Sequence, residues 1–135
     1  CIMIARKLQE SDWSTLQEWW STWPKWEVPP RDFLPDNGTG GFIVEKDDTP
    51  IVAGFVYLTN SKGVLLEWLI SNPEYRENDR DEAIETLIME IEKTIKNLGY
   101  KFMFTITQHN KLIETHKKLG WKVDTNPSYE LTKVL

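Results

Sequence analysis

The sequence predicts a single mixed α+β domain built on a mostly antiparallel sheet. The chain has 135 residues, enough for one hydrophobic core but short for two. Tight turns at 47–50 and 60–63 separate three short apolar runs, a pattern typical of consecutive antiparallel hairpins. A long amphipathic stretch and another apolar run follow, which predicts a crossover helix and a parallel strand.

The first part of the chain predicts a strand followed by a tryptophan-rich helix. Residues 2–8 alternate loosely between apolar and polar side chains, as a strand does. Ser11 is a suitable N-cap for the helix, and apolar side chains then recur at helical spacing. These side chains are Trp13, Leu16, Trp19, Trp20 and Trp23. The proline- and glycine-rich stretch 24–41 predicts an ordered loop or a short helical turn.

The remainder predicts two more helices and the rest of the sheet. An apolar stripe over 79–98 predicts the longest helix, and its members are Ile84, Leu87, Ile88, Ile91, Ile95 and Leu98. Residues 100–107 predict a buried strand parallel to the last strand of the meander, and 109–120 predict a shorter helix. A hairpin around Asn126 and Pro127 completes a predicted sheet of about seven strands with helices on both faces.

Charge and composition exclude several functional classes. The net charge of −5 argues against a nucleic-acid-binding protein, because neutralising phosphates requires a basic face. No apolar run is long enough to cross a membrane, and no signal segment is recognisable, so we expect a cytoplasmic protein. The single cysteine, Cys1, offers no internal disulfide.

Two motifs resemble the GNAT superfamily of N-acetyltransferases. The first is LLEWLISNPEYR at 65–76, similar to the family's strand that leads into its acetyl-CoA loop. The second is HNKLIETHKKLGWKV at 109–123, in which Asn110, Lys118, Gly120 and Trp121 occupy matching positions. The order of elements is similar over essentially the whole chain. The resemblance implies one GNAT-like acyltransferase domain over 1–135.

The resemblance also implies where acetyl-CoA binds. The backbone of Leu69, Ile70 and Ser71 matches the surface for the thioester and the pantetheine arm. Asn110 matches a residue that contacts the arm or a bound water, although it also suits the N-cap of the following helix.

The turn at 72–83 is where the resemblance places the pyrophosphate. Arg76 begins the loop pattern, and Arg80 supplies a second guanidinium group suited to phosphate oxygens. Asp79 and Asp81 stand where the family has glycine or another small residue. Asp79 also suits the N-cap of the next helix, where its carboxylate would compete with phosphate for the same N–H groups.

Two side chains are candidates for acid–base catalysis. Glu67 interrupts an apolar strand, and a carboxylate in apolar surroundings has a raised pKa and accepts a proton. Simple alternation gives the other interpretation, with Glu67 in solvent and Leu66 and Trp68 inside. His116 matches the family tyrosine that protonates the departing thiolate, and a histidine is chemically able to do this. A structural role on an amphipathic helix is its alternative.

The tryptophans have two interpretations as well. Trp13, Trp19, Trp20, Trp23 and Trp26 lie where the family builds its acceptor pocket, so they would form an aromatic wall for a cationic amine. Alternatively, most of them pack the helix onto the sheet.

The resulting hypothesis is an acetyl-CoA-dependent N-acetyltransferase that acts on a primary amine of a small molecule or protein. No metal is required by this chemistry. Its rival is a GNAT-fold module with impaired catalysis that binds or interacts through its aromatic face. A homodimer is compatible with both hypotheses.

Overall fold

A computed structural model describes residues 2–24, 26–124, 126 and 128–135. The chain forms two compact units, Cys1–Phe104 and Thr105–Leu135. None of the described helices is both long and apolar enough to cross a bilayer.

The first unit contains one sheet of five strands in the order β1-β2-β3-β4-β5. Its strands are β1 (Met3–Lys7), β2 (Gly41–Lys46), β3 (Thr49–Leu58), β4 (Gly63–Ser71) and β5 (Phe102–Phe104). Neighbours from β1 to β4 pair antiparallel. β5 pairs parallel with β4, so the predicted meander and the parallel strand after the crossover helix are confirmed.

The predicted count of about seven strands was wrong, because the described residues contain five. Residues 121–124 and 128–135 are not strands, and Pro127 of the predicted hairpin lies outside the described residues. The last apolar side chains, including Leu131 and Val134, are almost fully exposed. Alternation over a few residues does not form a strand unless an adjacent sheet buries one face of it.

Two helices cover opposite faces of the sheet, as predicted. Ile43, Ala53 and Phe55 belong to a buried cluster with Trp19 and Trp20 of α1 (Trp13–Thr22). The residue between Ala53 and Phe55 faces the other way: a Cβ on Gly54 would lie 3.3 Å from Leu69 and from Leu87. Leu87 belongs to α2 (Arg80–Asn97), so α2 packs on the face opposite α1.

The start of α1 differs from the prediction. A 3₁₀ turn at Glu10–Asp12 comes first, and Asp12 rather than Ser11 occupies the N-cap position. The Asp12 carboxylate does not cap α1, because it accepts from Arg6 Nη1 and Nη2 at 2.8 and 2.9 Å. Arg6 Nε also donates to Glu45 at 3.0 Å. Arg6 therefore joins β1, β2 and the start of α1.

The segment between α1 and β2 is ordered, as predicted. It contains 3₁₀ turns at Arg31–Phe33 and Pro35–Gly38. Leu34 lies buried between the turns and joins the cluster around Trp20. Leu34 and the partly buried Val28, which packs on the same cluster, thus join this loop to the α1 face of the sheet.

The predicted strand at 100–107 is shorter and less buried than expected. Only Phe102–Phe104 form β5, and the side chains of Phe102 and Phe104 are exposed. A short apolar run does not by itself say whether one or both faces of a strand are covered.

The second unit contains α3 (Asn110–Lys118). The helix begins after His109, whose Nδ1 accepts a 3.4 Å hydrogen bond from the Leu112 amide. Leu119 follows the helix, and Gly120 then adopts φ +94, a conformation that glycine permits.

Candidate active site

A bulge interrupts the middle of β4. Phe55 of β3 lies opposite Glu67, but Ala53 lies opposite Ile70, so β4 contains one extra residue between these pairs. Trp68, within the extra segment, has φ +58, which is uncommon for a bulky side chain. Bulges re-aim side chains and are frequent beside active sites.

The bulge places Glu67 and Trp68 on the same side of the sheet. Glu67 lies directly opposite Phe55, so both side chains share the α1 face. Trp68 packs edge-on against Trp20 on that face, with 6.2 Å between ring centroids. Glu67 is half-buried. Simple alternation would have placed the two side chains on opposite faces.

Trp68 is held by two other aromatic residues. Its Nε1 donates a 3.0 Å hydrogen bond to the hydroxyl of Tyr57, which itself donates to the Phe33 carbonyl at 2.9 Å. The Phe33 ring meets Trp68 edge-on at 5.9 Å. Burial raises the pKa of Tyr57, and the neighbouring charge of Glu67 raises it further. Tyr57 therefore stays neutral and keeps its hydrogen atom for Phe33.

Among the described residues, the outer edge of β4 has no strand partner beyond Leu65. Pairing with β5 ends at Leu65 opposite Phe104, whereas β4 continues to Ser71. The Asn72 amide donates to Ile51 of β3 at 2.7 Å. Because a trans peptide points its C=O opposite to the next N–H, the Ser71 carbonyl points away from β3, toward the open edge.

The Ser71 carbonyl oxygen accepts a hydrogen bond from a tryptophan side chain. Trp23, immediately after α1, donates from Nε1 to the Ser71 oxygen at 2.7 Å. Leu69 and Ile70, the two preceding candidate residues, send their side chains to opposite faces: Leu69 lies near Gly54, and Ile70 joins the cluster around Trp20. At the edge of β4, residues 69–71 therefore expose backbone groups rather than side chains.

The turn between β4 and α2 is closed by its own hydrogen bonds. The Asn72 side chain donates to the Pro50 carbonyl at 2.9 Å and accepts from the Glu74 amide at 3.0 Å. Arg80 donates to the Tyr75 carbonyl from Nη2 at 2.7 Å and from Nε at 3.2 Å. Arg80 thus contributes to the shape of the turn.

Asp79 does not compete for the backbone N–H groups at the start of α2. It occupies the N-cap position, but its side chain makes no capping hydrogen bond. Instead it pairs with Lys46 Nζ at 2.6 Å and accepts from the Tyr75 hydroxyl at 2.6 Å. The hydrogen bond from Lys46 is the main reason that the pKa of Asp79 is lowered. The predicted capping carboxylate was therefore wrong.

The turn between β4 and α2 carries other charged side chains besides Asp79 and Arg80. Asp81 and Glu82 lie in the first turn of α2. Arg76 is exposed, and its guanidinium group has no hydrogen-bond or ion-pair partner within the described part of the chain. Arg76 is therefore available to a ligand, in a turn whose sequence also contains the acidic residues Glu74 and Glu77.

The second unit contains the other two candidates. Asn110 is the first residue of α3 and exposed; His109 takes the N-cap position that Asn110 was alternatively predicted to fill. His116 is buried, and its Nδ1 lies 2.8 Å from the Leu112 carbonyl. Because a carbonyl only accepts, Nδ1 carries the proton. Nε2 has no hydrogen-bond partner among the residues described, and the ring meets Trp121 edge-on at 4.6 Å.

The tryptophans of α1 mostly serve packing. Trp19 and Trp20 are buried in the core. Trp13 is partly buried and covered by the Arg31 guanidinium, 4.8 Å from its ring centroid. Trp23 contacts Ser71, and Trp26 alone among the five is classed as exposed.

Sequence patterns did not identify three residues that shape this region. Tyr57 and Phe33 fix the Trp68 ring, and Lys46 neutralises Asp79. Lys46 precedes Asp79 by 33 residues, and such a contact leaves no local signal. The bulge at Trp68 has none either, because its register depends on β3. In the described residues, no group of three or more His, Cys, Asp or Glu side chains could hold a metal ion.

Comparisons with known proteins give structural matches only. No protein-family profile matches the chain, and no curated protein sequence does. A mutant of TTHA1254 from Thermus thermophilus is similar at TM-score 0.69 and 18% identity, over 98% of this chain and 97% of that one. AAC(6')-Iy, in complex with the bisubstrate analogue CoA-S-monomethyl-acetylneamine, is similar at TM-score 0.70 and 17% identity, over 99% and 100%.

A third match is the ribosomal-protein-S18-alanine N-acetyltransferase from Escherichia coli. It gives TM-score 0.72 at 11% identity, over 92% of this chain and 80% of the enzyme. Identities this low show a shared fold rather than a shared substrate. The chain has the fold of the GNAT N-acetyltransferases.

Proposed function

We propose that this protein transfers an acetyl group from acetyl-CoA to a primary amine of a small molecule or protein. The observation that carries the proposal is the bulged β4, whose pairing with β5 ends at Leu65 and which contains the half-buried Glu67. The similar structures support it, because one contains a CoA bisubstrate analogue and another is named as an alanine N-acetyltransferase.

The residues present fit acetyl-CoA as the acyl donor. The edge of β4 at Leu69–Ser71 offers backbone groups of the kind that pair with amides. The first turn of α2 is not capped by the Asp79 carboxylate, which leaves its N–H groups suited to an anion. Arg76 supplies an available guanidinium group. When bound, acetyl-CoA supplies an activated thioester.

The proposed roles follow the proton balance of acetyl transfer. Glu67 takes a proton from the ammonium group, and the freed amine nitrogen forms the new C–N bond at the thioester carbon. As the C–S bond breaks, the sulfur leaves with its electron pair and accepts a proton from His116, while the nitrogen loses its second proton to water and becomes a neutral amide. His116 can donate from Nε2 only while its ring is doubly protonated, because Nδ1 is committed to Leu112. Asn110 is proposed to contact the pantetheine arm.

One observation favours a second candidate, a binding module that lacks efficient catalysis. Arg80 is occupied within the turn, and Asp81 and Glu82 bring negative charge to the start of α2. Like charges at contact distance oppose a pyrophosphate. A cytoplasmic location and a homodimer stay predictions under either candidate.

Calorimetric titration with acetyl-CoA distinguishes the two candidates. The enzyme requires a saturable isotherm and amine-dependent release of free thiol. Arg76→Ala should weaken binding, whereas Lys93→Ala, an exposed cation on α2, should not. Absence of heat and of thermal stabilisation at millimolar acetyl-CoA would exclude the enzyme and leave the binding module.

A further inference from the structure

Two hydrogen bonds meet at the Tyr57 hydroxyl. It accepts from the Trp68 indole N–H at 3.0 Å and donates to the Phe33 carbonyl at 2.9 Å. The direction of both hydrogen bonds is fixed by their chemistry, because an indole N–H only donates and a carbonyl oxygen only accepts. The hydroxyl therefore joins three segments: β3, the bulge of β4 and the loop before β2.

The same contacts fix the direction of the Trp68 side chain. Its ring meets Trp20 edge-on at 6.2 Å and Phe33 edge-on at 5.9 Å, while its N–H is bound to Tyr57. Only the contact with Tyr57 is a hydrogen bond, so it restricts how the ring rotates between the other two. Trp68 is half-buried and adopts φ +58, and a bulky residue keeps such a conformation where its surroundings hold it.

The conformation of Trp68 determines where Glu67 lies. The angle φ is the rotation about the bond between N and Cα, so with the ring held in place it sets the direction of the preceding peptide and of Glu67. Glu67 lies opposite Phe55 on β3. Tyr57 lies opposite Leu65, so Tyr57 and Glu67 are diagonal neighbours on the α1 face of the sheet.

We infer that Tyr57 is a positioning residue for the proposed acetyl transfer: its hydroxyl holds the Trp68 ring and thereby keeps Glu67 where it takes a proton from the amine. This inference rests on the proposed function, in which Glu67 is the base. Tyr57 itself transfers no proton, since its hydrogen is bound to the Phe33 carbonyl. Displacement of a reacting group by about 1 Å costs up to about 100-fold in rate, so a side chain that only holds its neighbour still affects turnover.

Tyr57→Phe tests this role, because it keeps the ring and removes the hydroxyl. The amines are n-propylamine, spermidine and a lysine-containing peptide, each assayed at saturating acetyl-CoA. We expect kcat to fall by about tenfold, whereas KM for the amine and the Kd of acetyl-CoA should stay within about twofold. Tyr100→Phe, at a half-buried tyrosine outside the strands, is the matched control. Unchanged kcat in Tyr57→Phe would overturn the inference.

Double-mutant cycles distinguish positioning from a general loss of structure. If Tyr57 acts through Trp68 and Glu67, its replacement should lower kcat no further once either of them has been changed. The two backgrounds are Trp68→Phe, which lacks the indole N–H, and Glu67→Gln, which lacks the proposed base. A further loss as large as that in the unmodified protein, in either background, would contradict the inference.

The NMR resonance of the Trp68 indole N–H reports the contact independently of the reaction. This resonance, assigned by its absence in Trp68→Phe, should move in Tyr57→Phe and stay in place in Tyr100→Phe. A resonance that Tyr57→Phe leaves in place would exclude the positioning contact. Failure of the proposed function has a different signature, in which the resonance moves but the unmodified protein releases no thiol with any of the three amines. That result would exclude both the acetyl transfer and the role of Tyr57 in it.

Discussion

Trp23 Nε1 donates a 2.7 Å hydrogen bond to the carbonyl oxygen of Ser71 at the open edge of β4. This carbonyl points away from β3, on the side where β5 pairs further back along the strand. An amide N–H of the proposed acyl donor that pairs with this part of β4 would compete with the Trp23 indole N–H for the Ser71 carbonyl oxygen. The tryptophan-rich helix and the proposed donor site therefore share one acceptor atom.

Replacing Trp23 should make donor binding tighter. Trp23→Phe keeps a ring but removes the N–H group that occupies the Ser71 carbonyl. Since one hydrogen bond contributes about 0.5–1.5 kcal/mol, we expect the Kd of acetyl-CoA to fall by about two- to tenfold in calorimetry. Trp26→Phe, at an exposed tryptophan, should leave it unchanged. Weaker binding in Trp23→Phe would instead assign the indole a supporting role.

Glu67 should matter for turnover and not for donor affinity. Glu67→Gln retains the shape but cannot take the ammonium proton, so we expect kcat to fall by about 100-fold or more. The Kd of acetyl-CoA should remain within about twofold, within the usual scatter of a surface change. Glu130→Gln, an exposed acid, controls for the loss of charge. Unchanged kcat in Glu67→Gln would exclude Glu67 as the base.

The pair formed by Lys46 and Asp79 should tune donor affinity in opposite directions. Lys46→Met leaves the Asp79 carboxylate unneutralised at the start of α2, whereas Asp79→Asn leaves Lys46 available to an anion. We expect the Kd of acetyl-CoA to rise about two- to fivefold in the first variant and to fall by a similar factor in the second. Both effects should shrink as salt is added. Changes of the same sign in both variants would contradict this electrostatic account.

His116 should act through its proton. His116→Ala should lower kcat, and His116→Tyr should restore it, because the family resemblance places a tyrosine here. His116→Phe keeps an aromatic ring but has no proton to transfer, so it should lower kcat as His116→Ala does. Full kcat in His116→Phe would indicate a structural histidine.

The Arg6 and Asp12 pair should stabilise the fold in a pH-dependent manner. The hydrogen bond from Arg6 is the main reason that the pKa of Asp12 lies below its usual 3.8. Because the pKa of Asp12 is lower in the folded protein than in the unfolded chain, its carboxylate stabilises the fold. This contribution is complete above pH 3.8, the unfolded-chain value, and is lost as the pH falls through the folded-state pKa. We expect Asp12→Asn to lower the free energy of unfolding by about 1–3 kcal/mol at pH 7 and to weaken the acid dependence.

Urea unfolding at pH 7 and in acid measures both effects. Glu10→Gln is the control, because Glu10 pairs with Arg31 while its own side chain remains largely exposed. An exposed ion pair contributes about 0–1 kcal/mol, so this variant should lose less stability than Asp12→Asn. A loss in Glu10→Gln as large as that in Asp12→Asn would contradict the importance of burial.

Much of the fold was predictable because its signals are local. Turns at 47–50 and 60–63 defined the meander, and the stripe from Ile84 to Ile95 defined α2 on one face of the sheet. The C-terminal hairpin was wrong, because residues 121–124 alternate too briefly to specify a strand. Among the candidate site residues, Arg76 and Glu67 were predicted from the sequence as charges in unusual settings, and their roles stay predictions. Tyr57, Phe33 and Lys46 were not, because their importance comes from partners far along the chain.

The sequence by itself determined the order of elements as far as α3, the apolar faces of the helices and the position of the acidic turn, since these depend on the spacing of neighbouring residues. Only the tertiary structure decided that β4 has an extra residue at Trp68, that Glu67 and Trp68 share a face, and that Asp79 turns to Lys46. The physical reason is that register and ion pairing are properties of two segments at once. The sequence of one strand does not show which residues of the neighbouring strand lie opposite to it.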